Sequence, residues 1–253
     1  MRPALRTFLF RLAGFTILLE AMLVGAILYW PTFREHFGRL RGLVPLPVVQ
    51  NLLQAVETGG LAAYLAGQHF FKGCNTLGTA AAVLFAAGAV AGEAHRGTLE
   101  IWLARPLSRR RILLERWGFG ALAVVLPVFL TTLSIPWLLT YVDDRLPLRP
   151  LLLGAVHQSV FLLAFYSLTF LLSTLGRSAL PIATAVLFLS IFEFAIYLVE
   201  RVTHYSIFRL ADIERFMRIF RTGGLETGLV TALALASLFC LGASLFAFER
   251  RVP

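Results

Sequence analysis

Lysine is almost absent from this chain: Lys72 is the only one in 253 residues, and Gly73 and Cys74 follow it. A phosphate-cradling loop of the form G-x-x-x-x-G-K-[ST] needs a lysine directly before a serine or threonine. This polypeptide therefore carries no such nucleotide site. Cysteine is nearly as scarce. Cys74 and Cys240 are too few for a disulfide framework or a metal site, and both are expected to be packing residues. Charge of either sign is thin, at 15% of residues against about 25% in an ordinary soluble domain. No G-x-S-x-G elbow, H-E-x-x-H helix or pair of aspartates within an apolar run occurs. A membrane-embedded enzyme is the weaker for it. The adjacent Asp143 and Asp144 read as a solvated turn.

What the chain has in abundance is apolar sequence, 58% of residues, with a mean hydropathy of +0.78. Six blocks are long enough to cross about 30 Å of hydrocarbon at 1.5 Å per residue. They lie at about 12–30, 76–92, 117–140, 151–172, 180–199 and 225–248. The expected fold is an all-α integral membrane protein, a single transmembrane domain over 1–253. The N-terminal apolar run is too long for a signal-peptide core and lacks a small-residue cleavage site before Trp30-Pro31, so it reads as a retained first helix. The formal charge of +9 does not imply nucleic acid, because the bases sit between the blocks. Six arginines fall in the short 93–116 linker, where the positive-inside rule applies best. That predicts the linker and both termini on the cytoplasmic side of a cell membrane, with the basic residues serving the lipid bilayer.

Two longer pieces separate spans at the other membrane face. In THYSIFRLADIERFMRIF, Ile207, Leu210, Ile213, Phe216, Met217 and Phe220 recur at three- and four-residue spacing, with Asp212, Glu214, Arg215 and Arg218 opposite. This predicts an amphipathic helix lying in the headgroup layer or tucked between spans. Residues 31–75, interrupted by prolines and Gly59-Gly60, predict one or two short interfacial helices on the outer side. The second span is rich in small residues: Gly78, Ala82 and Ala86 recur every four, and Gly88 and Gly92 form a GxxxG. Such faces serve close packing in the bundle or between subunits.

The polar segment GEAHRGTLEIWLARPLSRRRILLERW, residues 92–117, stands out. Wound as a helix over about 93–106, it places His95, Leu99, Trp102 and Leu103 on one arc and Glu93, Arg96, Gly97, Glu100 and Ala104 opposite. Pro106 ends it, and Ser108 is placed to cap the next helix. Arg109, Arg110 and Arg111 then fill a first helical turn, where cations oppose the helix dipole. They call for an anionic neighbour, such as lipid phosphate or an acidic partner surface.

Residues 93–109, EAHRGTLEIWLARPLSR, resemble the linker signature of ABC-2-type exporter permeases, roughly E-x-x-x-G-T-L-E-x-L-L-x-x-P-x-S-R. Trp102 stands where leucine is usual, and the lysine often found before the third span is missing. The six-span layout, the amphipathic segment before the last span and the basic FERRVP tail extend the likeness. The resemblance implies a permease subunit of an ATP-driven exporter whose linker is a cytoplasmic coupling helix resting on a separate ABC ATPase subunit. ATP and magnesium would be bound there, with no cofactor, metal or catalytic residue in this chain. It implies a second permease subunit, identical or homologous. The expected ATPase-facing set is Glu93, Arg96, Gly97, Thr98, Glu100, Pro106, Ser108 and Arg109, with Leu99, Trp102 and Leu103 anchoring the helix. A non-transporting anchor that recruits an ATPase for signalling or for maturing a periplasmic partner would carry the same pattern.

Glu20 and Glu193 lie inside spans, where a carboxylate costs a few kcal/mol and usually faces a bundle interior or wet cavity. They are candidates for a conduit between subunits, or structural hydrogen-bonded acids. His157 is expected to bond across helices, since a haem pairing needs a second histidine at its depth and His36 and His69 read as outside the membrane. Pro127 and Pro136 are expected to kink the third span.

Overall fold

The computed structural model describes residues 2–41, 47–104 and 106–251, and at 2–4, 39–41, 47–49, 51–52 and 102–103 it describes the backbone alone. Among the described residues there is no strand. In chain order the helices are α1 (Arg2–Arg41), α2 (Pro47–Leu65), a π-helical stretch (Ala66–Leu77), α3 (Gly78–Ala87), α4 (Ala91–His95), α5 (Leu99–Leu103), α6 (Arg109–Leu139), α7 (Leu148–Leu175), α8 (Ala179–Leu198), α9 (Ile213–Thr222) and α10 (Thr227–Glu249). Six helical segments are long and apolar enough to cross a membrane: Leu5–Gly38, Leu53–Ala87, Arg109–Val142, Leu148–Leu175, Ala179–Leu198 and Thr227–Glu249.

The bundle is organised around α7, which packs on α10, α3 and α6, while α1 packs on α6. Buried side chains emerge all around α7, from Leu151 and Ala155 through Phe161 and Leu162 to Tyr166 and Phe170. Serines link it sideways. The indole of Trp117 in α6 donates to the Ser167 hydroxyl at 3.1 Å, and Ser167 meets Ser237 of α10 at 2.8 Å. Without a hydrophobic drive between helices in lipid, such polar and small-residue contacts carry much of the helix pairing.

The second span departs most from expectation. Instead of covering 76–92, the helical column starts well before residue 76, passes through the π-helical stretch and stops at Ala87. Gly60, at φ 58°, turns the chain from α2 into this column. Residues 61–75, expected at the interface, are largely in the core, and His69 with them. Its ring bonds Thr132 Oγ1 at 3.2 Å. The modest hydropathy of this part hides the span, because its polar groups face partners inside the bundle: Asn75 Nδ2 donates to the Ala211 carbonyl at 3.2 Å.

The first helix likewise continues through Pro31 to Arg41. Tyr64 Oη donates to the Ala26 carbonyl at 2.9 Å, tying α2 to α1 one turn before the proline. Trp30 Nε1 donates to Asp144 Oδ2 at 3.1 Å, so Asp144 ties α1 to the α6–α7 turn rather than resting as a solvated acid.

The amphipathic segment 203–222 is helical in the α sense only over α9, preceded by two short 3-10 turns. It tucks back against the bundle: Phe216 stacks on Phe70 at 4.8 Å and meets the His157 ring at 5.6 Å. Asp212, expected on its polar face, is instead buried as its N-cap, accepting from Arg215 N at 3.0 Å. Burial holds the Asp212 carboxyl above the usual carboxylate range, against the opposing pull of that N–H and of Arg209. The folded state therefore binds its proton more tightly than the unfolded chain, and stability falls as pH rises from the ordinary carboxylate range through the raised value. Asp212→Asn, which keeps an N-capping oxygen, should remove that slope. In thermal unfolding followed against pH, its midpoint should gain on wild type as pH rises and lose that gain on acidification; parallel curves would disprove it.

Candidate functional site

Where span two stops, the chain makes the 88–108 linker, and the termination has one main support. The Ser173 hydroxyl, fully buried in α7, donates to the Ala87 carbonyl at 2.7 Å and accepts from the N–H groups of Val90 and Ala91 at 3.1 and 3.0 Å. It thus serves an orphan carbonyl at the end of α3 and two orphan donors at the start of α4. Gly88 and Gly92, expected as a helix-packing GxxxG, lie at this break and in α4.

The expected single helix over 93–106 is two short helices, α4 and α5, separated by a left-handed residue. Gly97 has φ +68°, a conformation disfavoured by a Cβ. Thr98 N donates to the Glu93 carbonyl at 3.0 Å and Gly97 N to the Ala94 carbonyl at 3.2 Å. This is the Schellman pairing, with Gly97 at C′. The Thr98 hydroxyl donates to the Glu93 carboxylate. Glu93 also meets Arg96 at 2.8 Å and Arg116 of α6 at 3.5 Å. The E-x-x-x-G-T pattern is therefore a self-bonded turn pinned to α6.

The structure also gives several of these residues bonds or positions within the chain. Glu93 is only 15% exposed and, like Thr98, works within the turn. Gly97 is exposed but its task is the turn. His95, expected on the apolar arc, is exposed because the break at Gly97 removes the shared helical face, and Leu99 alone of that arc is seen buried, at 5%. The side chains of Trp102 and Leu103 lie outside the described residues. Arg96, Glu100, Pro106 and Ser108 are exposed together at this end of the bundle. Ser108 accepts from Arg111 N at 3.3 Å, capping α6 as expected.

Two of the arginines in the first turn of α6, Arg109 and Arg110, have a partner inside the chain. Arg109 donates to the carbonyls of Glu249 and Arg251 at 3.0 and 2.8 Å. Arg110 grips the Glu249 carboxylate through Nε and, at 3.3 Å, through an Nη. Arg251 in turn donates to the carbonyls of Thr174 and Gly176, the latter at 2.8 Å. The C-terminus of α10 thus offsets the charge that the α6 dipole disfavours, and Arg109, expected to face an ATPase, is half-buried in that clip. Sequence reading missed Ser173 and the tail; a serine inside the apolar FLLSTLG run, level with the glycine-rich end of span two, was the available signal.

The two intramembrane acids are not brought together. Glu193 Oε2 accepts from Ile207 N at 3.0 Å and its carbonyl accepts from the Ser206 hydroxyl at 2.8 Å, so it anchors the turn after α8. Glu20 lies half-buried on α1, which packs chiefly on α6, whereas α8 packs on α3 and α7. His157 donates from Nε2 to the Leu210 carbonyl at 2.7 Å, the cross-segment bond expected of it. No cluster of three or more His, Cys, Asp or Glu suited to a metal gathers among the described residues.

A multi-span bundle with a structured, charged linker between its second and third spans defines a polytopic membrane protein. The chain belongs to the ABC-2 family transporter proteins, whose family model matches residues 46–208, from the start of α2 past the linker to the turn after α8. It is thus a multi-pass membrane protein and a permease subunit of an ABC transporter, in a family that is the transmembrane component, associated with ABC ATPase subunits. No curated protein and no solved structure matches the chain.

Replacing Ser173 by alanine strands three buried backbone groups, each costing about 1–3 kcal/mol. Ser173→Ala should lower the thermal midpoint and raise amide exchange at Val90 and Ala91, while Gly97→Ala should cost about 1–2 kcal/mol and expose Thr98. Wild-type exchange at Val90 and Ala91 in Ser173→Ala, or at Thr98 in Gly97→Ala, would refute the corresponding assignment.

Proposed function

We propose that this chain couples ATP hydrolysis in a separate ABC ATPase to export across the cell membrane. One observation carries the reading: the linker is rigidly joined at its back to α7 through Ser173 and to α6 through Glu93 and Arg116, while Arg96, Glu100, Pro106 and Ser108 are exposed. A partner pressing on that exposed set displaces two central helices at once rather than bending a loop. Orientation with the linker and termini in the cytoplasm follows from the six arginines of 93–116.

A second permease subunit completes the assembly. Only 22% of the most apolar window of α1 and 17% of that of α8 are buried, against at least 50% for spans two, three and four. These faces suit a subunit interface with Glu20 beside it; Glu193 enters that path only if its bond to Ile207 N opens. α10 is as bare, which suits lipid.

Two experiments test the reading. Tagged protein should co-purify with a Walker-A ATPase, and Glu100→Arg should weaken association roughly tenfold without lowering thermal stability. Absence of any ATPase, or indifference to that reversal, removes the coupling role. For the conduit, Glu20→Gln should alter cargo-stimulated ATP turnover and its pH dependence in proteoliposomes, and unchanged profiles would remove Glu20 from the path.

A further inference from the structure

The linker end of the bundle also holds a cleft between α1, α4 and α6. Its volume is about 310 Å³, and its lining includes Arg11, Arg96, Arg116 and a single acid, Glu93, with Phe8 and Phe119 beside them. Three guanidinium groups against one carboxylate leave it positive. Arg11 is fixed in place, donating to the Phe85 carbonyl at 3.3 Å with its guanidinium 5.1 Å from the Phe85 ring centre. Arginine has five N–H donors, so that single bond leaves most of the fork for another acceptor.

An orphan polar group underlies the same cleft. Tyr166 is fully buried, and its hydroxyl has no hydrogen-bond partner among the described residues. That hydroxyl presses on Gly120, where a Cβ would lie 1.9 Å from it, and Gly120 lines the cleft. Both Arg11 and Arg116 are within electrostatic reach of the phenol. Leaving such a group unsatisfied costs about 1–3 kcal/mol, and it lies behind Gly120 rather than in the lining of the cleft.

Depth decides the ligand class. Arg11 and Arg116 are the last charged residues before the apolar runs that begin at Leu12 and Trp117, which is the level where headgroups meet hydrocarbon. Phe8 and Phe119, with ring centres 5.4 Å apart, supply an apolar wall at the same place. We propose that the cleft binds the phosphate of an anionic phospholipid, held by Arg11 and Arg116 in bidentate fashion, with Arg96 at the rim and its acyl chains along the aromatic wall. Because Arg96 and Arg116 also hold Glu93, occupancy is linked to the Schellman turn. Lipid binding there needs no ATPase, so its test is separate from that of the coupling reading although the two share Arg96.

The full-length chain in neutral detergent is titrated with phosphatidylglycerol, phosphatidylcholine and inorganic phosphate, reading retained lipid by native mass spectrometry and the thermal midpoint. Phosphatidylglycerol should be retained preferentially and raise the midpoint. Arg11→Gln should weaken its retention about fivefold, and Thr7→Glu, an exposed position at the cleft edge, should weaken it comparably. Arg34→Gln, exposed near the far end of α1, should change nothing. Equal retention of the two lipids, or a preference that survives both cleft variants, overturns the site. Inorganic phosphate matching the lipid's effect overturns the lipid assignment. Should Arg11→Gln fail to fold, the wild-type lipid comparison and Thr7→Glu still decide.

Discussion

One hydroxyl, that of Ser173, lets the second span end where it does. A helix cannot stop inside a packed, water-poor bundle without leaving carbonyls and N–H groups unpaired, and each costs more there than at a wet surface. Ser173 serves Ala87, Val90 and Ala91 together, so the chain can leave α3 and enter α4 with its backbone bonds accounted for. Everything beyond depends on this: the position of the Gly97 turn, the reach of Glu93 to Arg116, and the exposure of Arg96 and Glu100. A serine inside an apolar helix thus acts as a structural cap for a different helix.

The all-α class, the six spans and the location of the linker were legible because they rest on long-range apolar patterning and a short ordered motif. Local periodicity misled where tertiary bonding took over. A wheel drawn through 93–106 assumes one continuous helix, but Gly97 can adopt a left-handed conformation and does so here, so residues on either side no longer share a face. His95 and Leu99 part company for that reason. The buried start of span two was invisible for the opposite reason: His69 and Asn75 look interfacial by hydropathy, yet Thr132 and the Ala211 carbonyl are waiting for them. Hydrogen-bond partners far away in sequence leave no trace in a window average.

The three arginines at the start of α6 show how a local rule can point correctly to a missing partner and still misname it. Cations at a helix N-terminus are disfavoured, so something must compensate. The compensation is the other end of the chain. The carbonyls at the C-terminus of α10 carry the negative end of a second helix dipole, and Glu249 adds a full charge. The clip closes through Arg251 onto the carbonyls that end α7. Single exposed ion pairs contribute little, typically below about 1 kcal/mol, so Arg110–Glu249 alone would not hold the tail. Backbone carbonyls received by Arg109 and Arg251 make it a joint between three helices.

These two joints together define what the linker can transmit. One runs from α4 through Ser173 into α7, the other from Glu93 through Arg116 into α6, and the tail clip bridges the same pair of helices from α10. A force applied at Arg96 or Glu100 therefore meets a closed frame rather than a hinge. Outside that frame α1 and α8 have little buried surface, and α10, which joins it only through the tail clip, is equally bare. A bundle whose centre is stapled by buried hydroxyls and whose flanks are bare is stiff where its helices meet the linker and open where they meet lipid. Under the coupling proposed above, that stiffness would carry a displacement inward, and the bare flanks are where it would reach lipid or another subunit.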